Sequence, residues 1–216
     1  DLKFRFGPES PTYSLAKNIL NELWSEVRTE PSIKLKFDLW SKNMEIVYGS
    51  TPKEEAFIDQ TYLVTLVKLI VYYKLSGDNV VEEDKIKKAL TGEYFQFRIP
   101  NFIEEDFFIW LLHPKIVDRA LSFACDLARE LLRYNMKEVD EDLFKEIYQE
   151  IVKRSERHRI GEYYTPEWLV ELTLKEALRI WFERNKDKEA PRILDPACGS
   201  GTFLCNAIYM MREHLR

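Results

Sequence analysis

Across residues 1–155, apolar side chains return every three or four positions, a spacing that permits little except packed α-helices. In SLAKNILNELWSEV (14–27), Leu15, Ile19 and Leu23, with Ala16, Leu20, Trp24 and Val27, make one apolar face. IKLKFDLWSKNMEIVYG (33–49) repeats the pattern through Phe37, Trp40, Met44 and Val47, and Gly49 fits just past its end. TPKEEAF (51–57) reads as a helix start, with Thr51 as N-cap, Pro52 first in the helix and Glu54 closing a capping box. The most apolar stretch, TYLVTLVKLIVYYKL (61–75), is broken by Lys68 and is short for a bilayer span. It reads as a buried core helix, and no membrane association is expected. A further helix over 82–91 stops at Gly92, and two longer ones are expected near 115–134 and 140–154. The aromatic, β-leaning GEYFQFRIPNF (92–102) reads as a connection marked by Pro100, and LKFRF (2–6) alternates with period two like an edge strand.

The chain has 216 residues, enough for one large domain or two small ones. A formal charge of −5 excludes a polybasic chain, so any affinity for a phosphate backbone must come from a local patch. Three cysteines (Cys125, Cys198 and Cys205) without a CxxC pair suit a reducing cytoplasm better than a secreted framework. The first residues carry neither an initiator methionine nor a signal peptide, and both ends read as cut from a longer polypeptide.

Charge divides the chain. Residues 1–155 carry 22 basic and 27 acidic side chains, whereas 156–216 carry 10 of each. This places a domain boundary near Lys153–Arg159. In the second segment, RILD (192–195) is a short β-leaning run and TFLCNAIYMMREHL (202–215) a helix. A strand, a glycine turn and a helix form an arrangement suited to nucleotides or phosphates. Glycine is needed where a ligand touches the backbone and the turn requires positive φ. Asp195, at the carboxyl end of the run, stands where open α/β sheets bind ligands. A phosphate-binding P-loop is excluded, because Gly201 is followed by Thr202 and Phe203 rather than Lys and Ser or Thr. The dinucleotide fingerprint fits only at Gly199 and Gly201, since Leu204 holds the third glycine position.

Read whole, LDPACGSGTFL (194–204) resembles the S-adenosylmethionine-binding motif of the amino-group DNA methyltransferases that modify adenine at N6. GEYYTPEWLVELTL (161–174) resembles the other cofactor motif of that family. Order and spacing match the adenine-specific branch found in type I modification subunits and fused restriction–methylation enzymes. The helices ending in DEDLFKEIYQEIV also look like that branch's N-terminal helical domain, with less specificity.

The resemblance implies a mainly α chain. An N-terminal helical domain (1–155) would precede the first part of a truncated Rossmann-like α/β methyltransferase domain (156–216). It implies that the loop of Asp195, Pro196, Ala197, Cys198, Gly199, Ser200 and Gly201 wraps the methionine moiety of the cofactor. Phe203 would open the next helix beside it, with Tyr163, Tyr164, Thr165 and Pro166 on the other side. Elementary chemistry agrees. Thr165 as N-cap before Pro166 leaves backbone N–H groups free to meet a carboxylate. Tyr163 or Tyr164 offers a ring to the sulfonium, a contact worth about 0.5–2 kcal/mol. The family's chemistry resides in an Asn/Asp-Pro-Pro-Tyr/Phe loop that holds the flipped adenine. No Pro-Pro dipeptide occurs in these 216 residues, and the acidic residue that grips the ribose would lie beyond Arg216. No catalytic residue is therefore assigned, and the fragment is expected to be inert alone. The implied partners are double-stranded DNA and a specificity subunit or fused nuclease and target-recognition domains.

Other signals weigh less. KRSERHR (153–159) could touch DNA phosphates, but cations also favour a solvated helix end. His113, His158 and His214 show no metal-ligand spacing. Glu83-Asp84-Lys85, with Asp78 upstream, contains the E-x-K of a nuclease motif, yet 82–91 reads as a helix whose first turn welcomes acids. Cys198 is read as a small side chain with no reactivity claimed. Two other readings stay open. One is a helical protein- or DNA-interaction module with a purely structural glycine turn. The other is a methyltransferase for RNA or protein glutamine, against which GEYYTP argues.

Overall fold

The computed structural model describes residues 2–99, 102, 106–136, 165–186, 190–199 and 201–214. The chain divides into two compact units, Asp1–Ile160 and Gly161–Arg216. The expected helix over 140–154 and the basic run 153–159 lie outside the described residues. Among the described residues every regular element is helical and no strand is formed.

The first unit is built around its longest helix. Helices α1 (Leu2–Phe6), α2 (Pro11–Val27) and α3 (Pro31–Tyr48) precede α4 (Glu54–Ser76). Helices α5 (Glu83–Thr91) and α6 (Val117–Leu131) follow, with short 3₁₀ turns at Glu93–Phe95 and Phe107–Leu112 between them. α4 is buried on several faces at once: Phe57, Tyr62, Leu66, Leu69, Ile70 and Tyr73 are all inside. A helix apolar all round belongs at the centre of a core, as 61–75 predicts. Around its first turns Trp24, Phe37, Trp40, Phe57 and Trp110 pack ring against ring, with centroids about 5–6.5 Å apart. The indoles are satisfied. Trp40 donates to Gln60 Oε1 at 2.9 Å and Trp110 to Thr61 Oγ1 at 3.1 Å.

Lys68 is the charged exception in α4. Its ammonium, 7% exposed, donates to the Leu90 carbonyl at 2.8 Å and pairs with Asp106 at 2.5 Å. Asp106 also accepts from Phe108 N at 2.9 Å, and its carbonyl accepts from Lys36 at 3.2 Å. One buried ion pair thus joins α3, α4, α5 and the second 3₁₀ turn.

Several local expectations are corrected. LKFRF is helix α1, not a strand. Phe6 is buried, Tyr62 donates its hydroxyl to the Phe6 carbonyl at 2.8 Å, and Arg5 pairs with Glu130. The period-two alternation survives only as Phe4 outside and Phe6 inside. α4 begins at Glu54 with Lys53 as N-cap, so Thr51 caps nothing. Glu54 instead meets α2, accepting from Trp24 Nε1 at 3.3 Å and pairing with Arg28 at 3.1 Å. Leu15 and Val47 are exposed rather than part of apolar faces. Residues 93–99 belong to a connection as expected, but form 3₁₀ and turn structure rather than a β-leaning run, and Pro100 lies outside the described residues. In the E-x-K candidate, Glu83 and Asp84 occupy the first turn of α5, and Asp78 accepts from Tyr72 and Lys85. Those groups serve the fold.

The second unit holds helices α7 (Glu167–Arg184) and α8 (Thr202–His214). They pack through Val170 and Leu174 on α7 and Ala207, Phe203 and Met210 on α8. Residues 190–195 run without helix between them. The strand expected at 192–195 is not formed: a strand needs a neighbour to take its hydrogen bonds, and no described segment pairs with it. Ile193 and Leu194 accordingly face outward, Leu194 at 85% exposure.

Candidate functional site

The candidate site lies in the second unit, at the segments that open α7 and α8. Before α8 the chain makes two linked turns. Asp195 Oδ1 accepts from Ala197 N at 3.1 Å, a side-chain-closed turn that its short carboxylate suits. Gly201 N then donates to the Cys198 carbonyl at 2.8 Å, and Cys205 N to the Gly201 carbonyl at 2.8 Å, starting the helix. Gly199 and Gly201 stand at φ +54° and +87°, in the left-handed region that disfavours a side chain.

Space, by contrast, does not require glycine. A Cβ on Gly199 would meet nothing within 4 Å, and one on Gly201 would meet only Cys205 Sγ at 3.8 Å. Pro196, Ala197, Cys198 and Gly199 are exposed, and Asp195 is half-buried. The turn therefore presents bare main chain to an open side. That is the property a ligand contacting backbone N–H groups needs.

Phe203, in the first turn of α8, is half-buried against the cluster that joins the two helices. Val170, in the first turn of α7, belongs to the same cluster. Ahead of α7, Thr165 is half-buried and Pro166 exposed. Pro166 itself is the N-cap, with no side-chain cap, and its carbonyl accepts from Leu169 and Val170 at 3.0 and 3.1 Å. Thr165 thus stands one position outside its expected role. Two candidate segments accordingly open helices that share one apolar contact. Tyr163, Tyr164 and Ser200 lie outside the described residues. Cys205, which the motif reading passes over, enters through its i+4 spacing from Gly201. Among the described residues no group of acidic, histidine and cysteine side chains could hold a metal ion. None of the described helices is long and apolar enough to cross a membrane.

A family model described as N-6 DNA Methylase matches residues 139–216, which include every candidate site residue. The C-terminal part of the chain is similar to that family. No curated protein and no solved structure matches the chain.

Proposed function

We propose that this chain is the N-terminal part of a DNA methyltransferase that transfers a methyl group from S-adenosylmethionine to adenine N6 within a restriction–modification system. The observation that carries the reading is the glycine turn: positive-φ glycines with open space before them, inside the segment similar to the N-6 DNA Methylase family. The donor set suits the cofactor. Main chain at the exposed residues Cys198 and Gly199 offers hydrogen bonds to its amino-acid end, and Asp195 supplies a carboxylate beside it. Asp195, Pro196, Ala197, Cys198, Gly199, Ser200 and Gly201 would hold the methionine moiety, with Phe203 beside them. Tyr163, Tyr164, Thr165 and Pro166 would close the other side. When bound, the cofactor supplies an electrophilic methyl group on a sulfonium.

In this reading the non-helical segment 192–195 becomes a strand once a neighbouring strand pairs with it, as the opening of a Rossmann-like sheet. The first unit would clamp double-stranded DNA or contact a specificity subunit or fused nuclease and recognition domains. The protein would work in the cytoplasm. Because the 216 residues contain no Pro-Pro loop, they would not methylate DNA alone. Calorimetry with the full-length protein tests the reading: S-adenosylmethionine should bind, and the Gly199→Val/Gly201→Val variant should lose that binding. A folded full-length protein without cofactor affinity would refute it.

One observation favours the second reading, an interaction module. α3 exposes Leu35, Leu39 and Ile46 at spacings of four and seven, on the side opposite its buried Ile33 and Trp40. If the glycine substitutions leave cofactor affinity unchanged, that reading gains.

A further inference from the structure

The reactive side chains nearest the glycine turn are thiols. Cys198 and Cys205 are both free and exposed, whereas Cys125 is buried in α6. Both exposed cysteines are tied to one glycine by main-chain hydrogen bonds, Gly201 N to Cys198 O and Cys205 N to Gly201 O, each at 2.8 Å. One thiol therefore stands at the entrance of the turn and the other in the first helical turn leaving it. Cys198 Sγ lies 3.7 Å from the Gly199 carbonyl. Cys205 Sγ is the atom a Cβ on Gly201 would touch, at 3.8 Å. Gly199 keeps its own Cβ side open, and an exposed cysteine stands on the chain on each side of Gly201. Desolvation raises the pKa of Cys125, which keeps it protonated and slow to react.

We propose that Cys198 and Cys205 make the glycine turn a thiol-modification site, where disulfide exchange with a low-molecular-weight disulfide and occupation of the turn by the sulfonium cofactor exclude one another. This rests on the cofactor reading above. In the exchange, either thiol loses its proton to solvent. The thiolate attacks one sulfur of the disulfide, forming a protein–ligand S–S bond as the old S–S bond breaks, and the departing thiolate takes up a proton. The protein sulfur is oxidised and the departing sulfur reduced, with no further oxidant. An adduct of tripeptide size, as from glutathione disulfide, is then anchored beside main chain that a ligand must reach. The coupling is reciprocal: whatever factor the adduct costs the cofactor, the cofactor costs the adduct.

The test uses full-length protein, glutathione disulfide, peptide-mapping mass spectrometry and calorimetry with S-adenosylmethionine. Adducts should map to Cys198 and Cys205 on the native protein, and to Cys125 only after denaturation. The doubly modified protein should bind the cofactor roughly tenfold or more weakly, within the usual range of such couplings. Affinity should return when a dithiol removes the adducts. Of the two positions, Cys205→Ser should carry an adduct at Cys198 alone and lose a smaller factor on treatment. Saturating cofactor should suppress adducts at these two positions. Absence of adducts at both positions on the native protein overturns the proposal whatever the cofactor does. Two adducts with unchanged cofactor affinity also overturn it, leaving the cofactor reading intact. No cofactor affinity in unmodified, folded protein, with adducts still forming, identifies failure of the cofactor reading itself and removes the switch with it.

Discussion

At Gly199 and Gly201 the backbone, not the packing, demands glycine. Gly199→Ala meets no neighbour, yet placing an L-residue in the left-handed region costs about 1–2 kcal/mol. The same cost is expected for Gly201→Ala, whose new methyl only touches Cys205. Native-state hydrogen exchange in the first turn of α8 should report both losses as faster exchange, with the first unit unaffected. A second residue-scale outcome concerns Asp78. Hydrogen bonds from Tyr72, and then Lys85, hold its carboxyl below the ordinary aspartate range. A depressed native pKa adds stability that is complete above the unfolded value of about 3.9 and is lost as pH falls through the native one. Tyr72→Phe should therefore narrow the gap between melting temperatures measured at pH 7 and pH 3. If that gap keeps its full size, the hydroxyl contributes nothing to the acid dependence. Sequence reaches such pairs poorly: Asp78 and Lys85 are visible as a charge pattern, but only the fold reveals that Tyr72 claims the carboxylate first.

Among the elements, α2, α3, α5 and α6 follow from periodicity, although Leu15 in α2 and Val47 in α3 fall outside the buried faces. The start of α2 lies three residues ahead of the 14–27 reading, where the Ser10 hydroxyl accepts from Tyr13 N at 3.0 Å ahead of Pro11. Ser10→Ala should lower thermal stability by about 1 kcal/mol, as losing an N-cap does. α1 and the start of α4 escape a local reading because distant groups decide them. The Tyr62 hydroxyl and Glu130 organise LKFRF, and Trp24 with Arg28 draws Glu54 away from Thr51. The α3–α4–α5 junction is likewise illegible beforehand, since Asp106 is 38 residues from Lys68. Asp106→Ala strands a buried ammonium and should cost roughly 3–5 kcal/mol in denaturant unfolding. A double variant, Lys68→Met with Asp106→Ala, should recover much of that loss, because no charge is left without a partner. Additive losses in the double variant would show that the pair does not act as a unit.

On the scale of the whole molecule, the two units differ in how much apolar surface they bury. The first has a core running from Phe6 to Met136, whereas the α7–α8 contact rests on Val170, Leu174 and Ala207 with Phe203 and Met210 beside them. Amides of α4 and α6 should exchange only through global opening, and those of α7 and α8 at lower free energy. Equal protection in both would contradict this. The glycine turn was legible as a motif because main-chain demands are written in residue type. The helix pairing beside it was not, since Val170 and Ala207 are ordinary apolar letters. The segment 190–195 carries one more consequence. Its backbone is neither helical nor paired in a ladder with any described residue, and Ile193 and Leu194 are exposed beside it. Unpaired main chain carrying exposed apolar side chains favours association, so these 216 residues on their own should self-associate as concentration rises. Replacing Leu194 with lysine should restore their solubility.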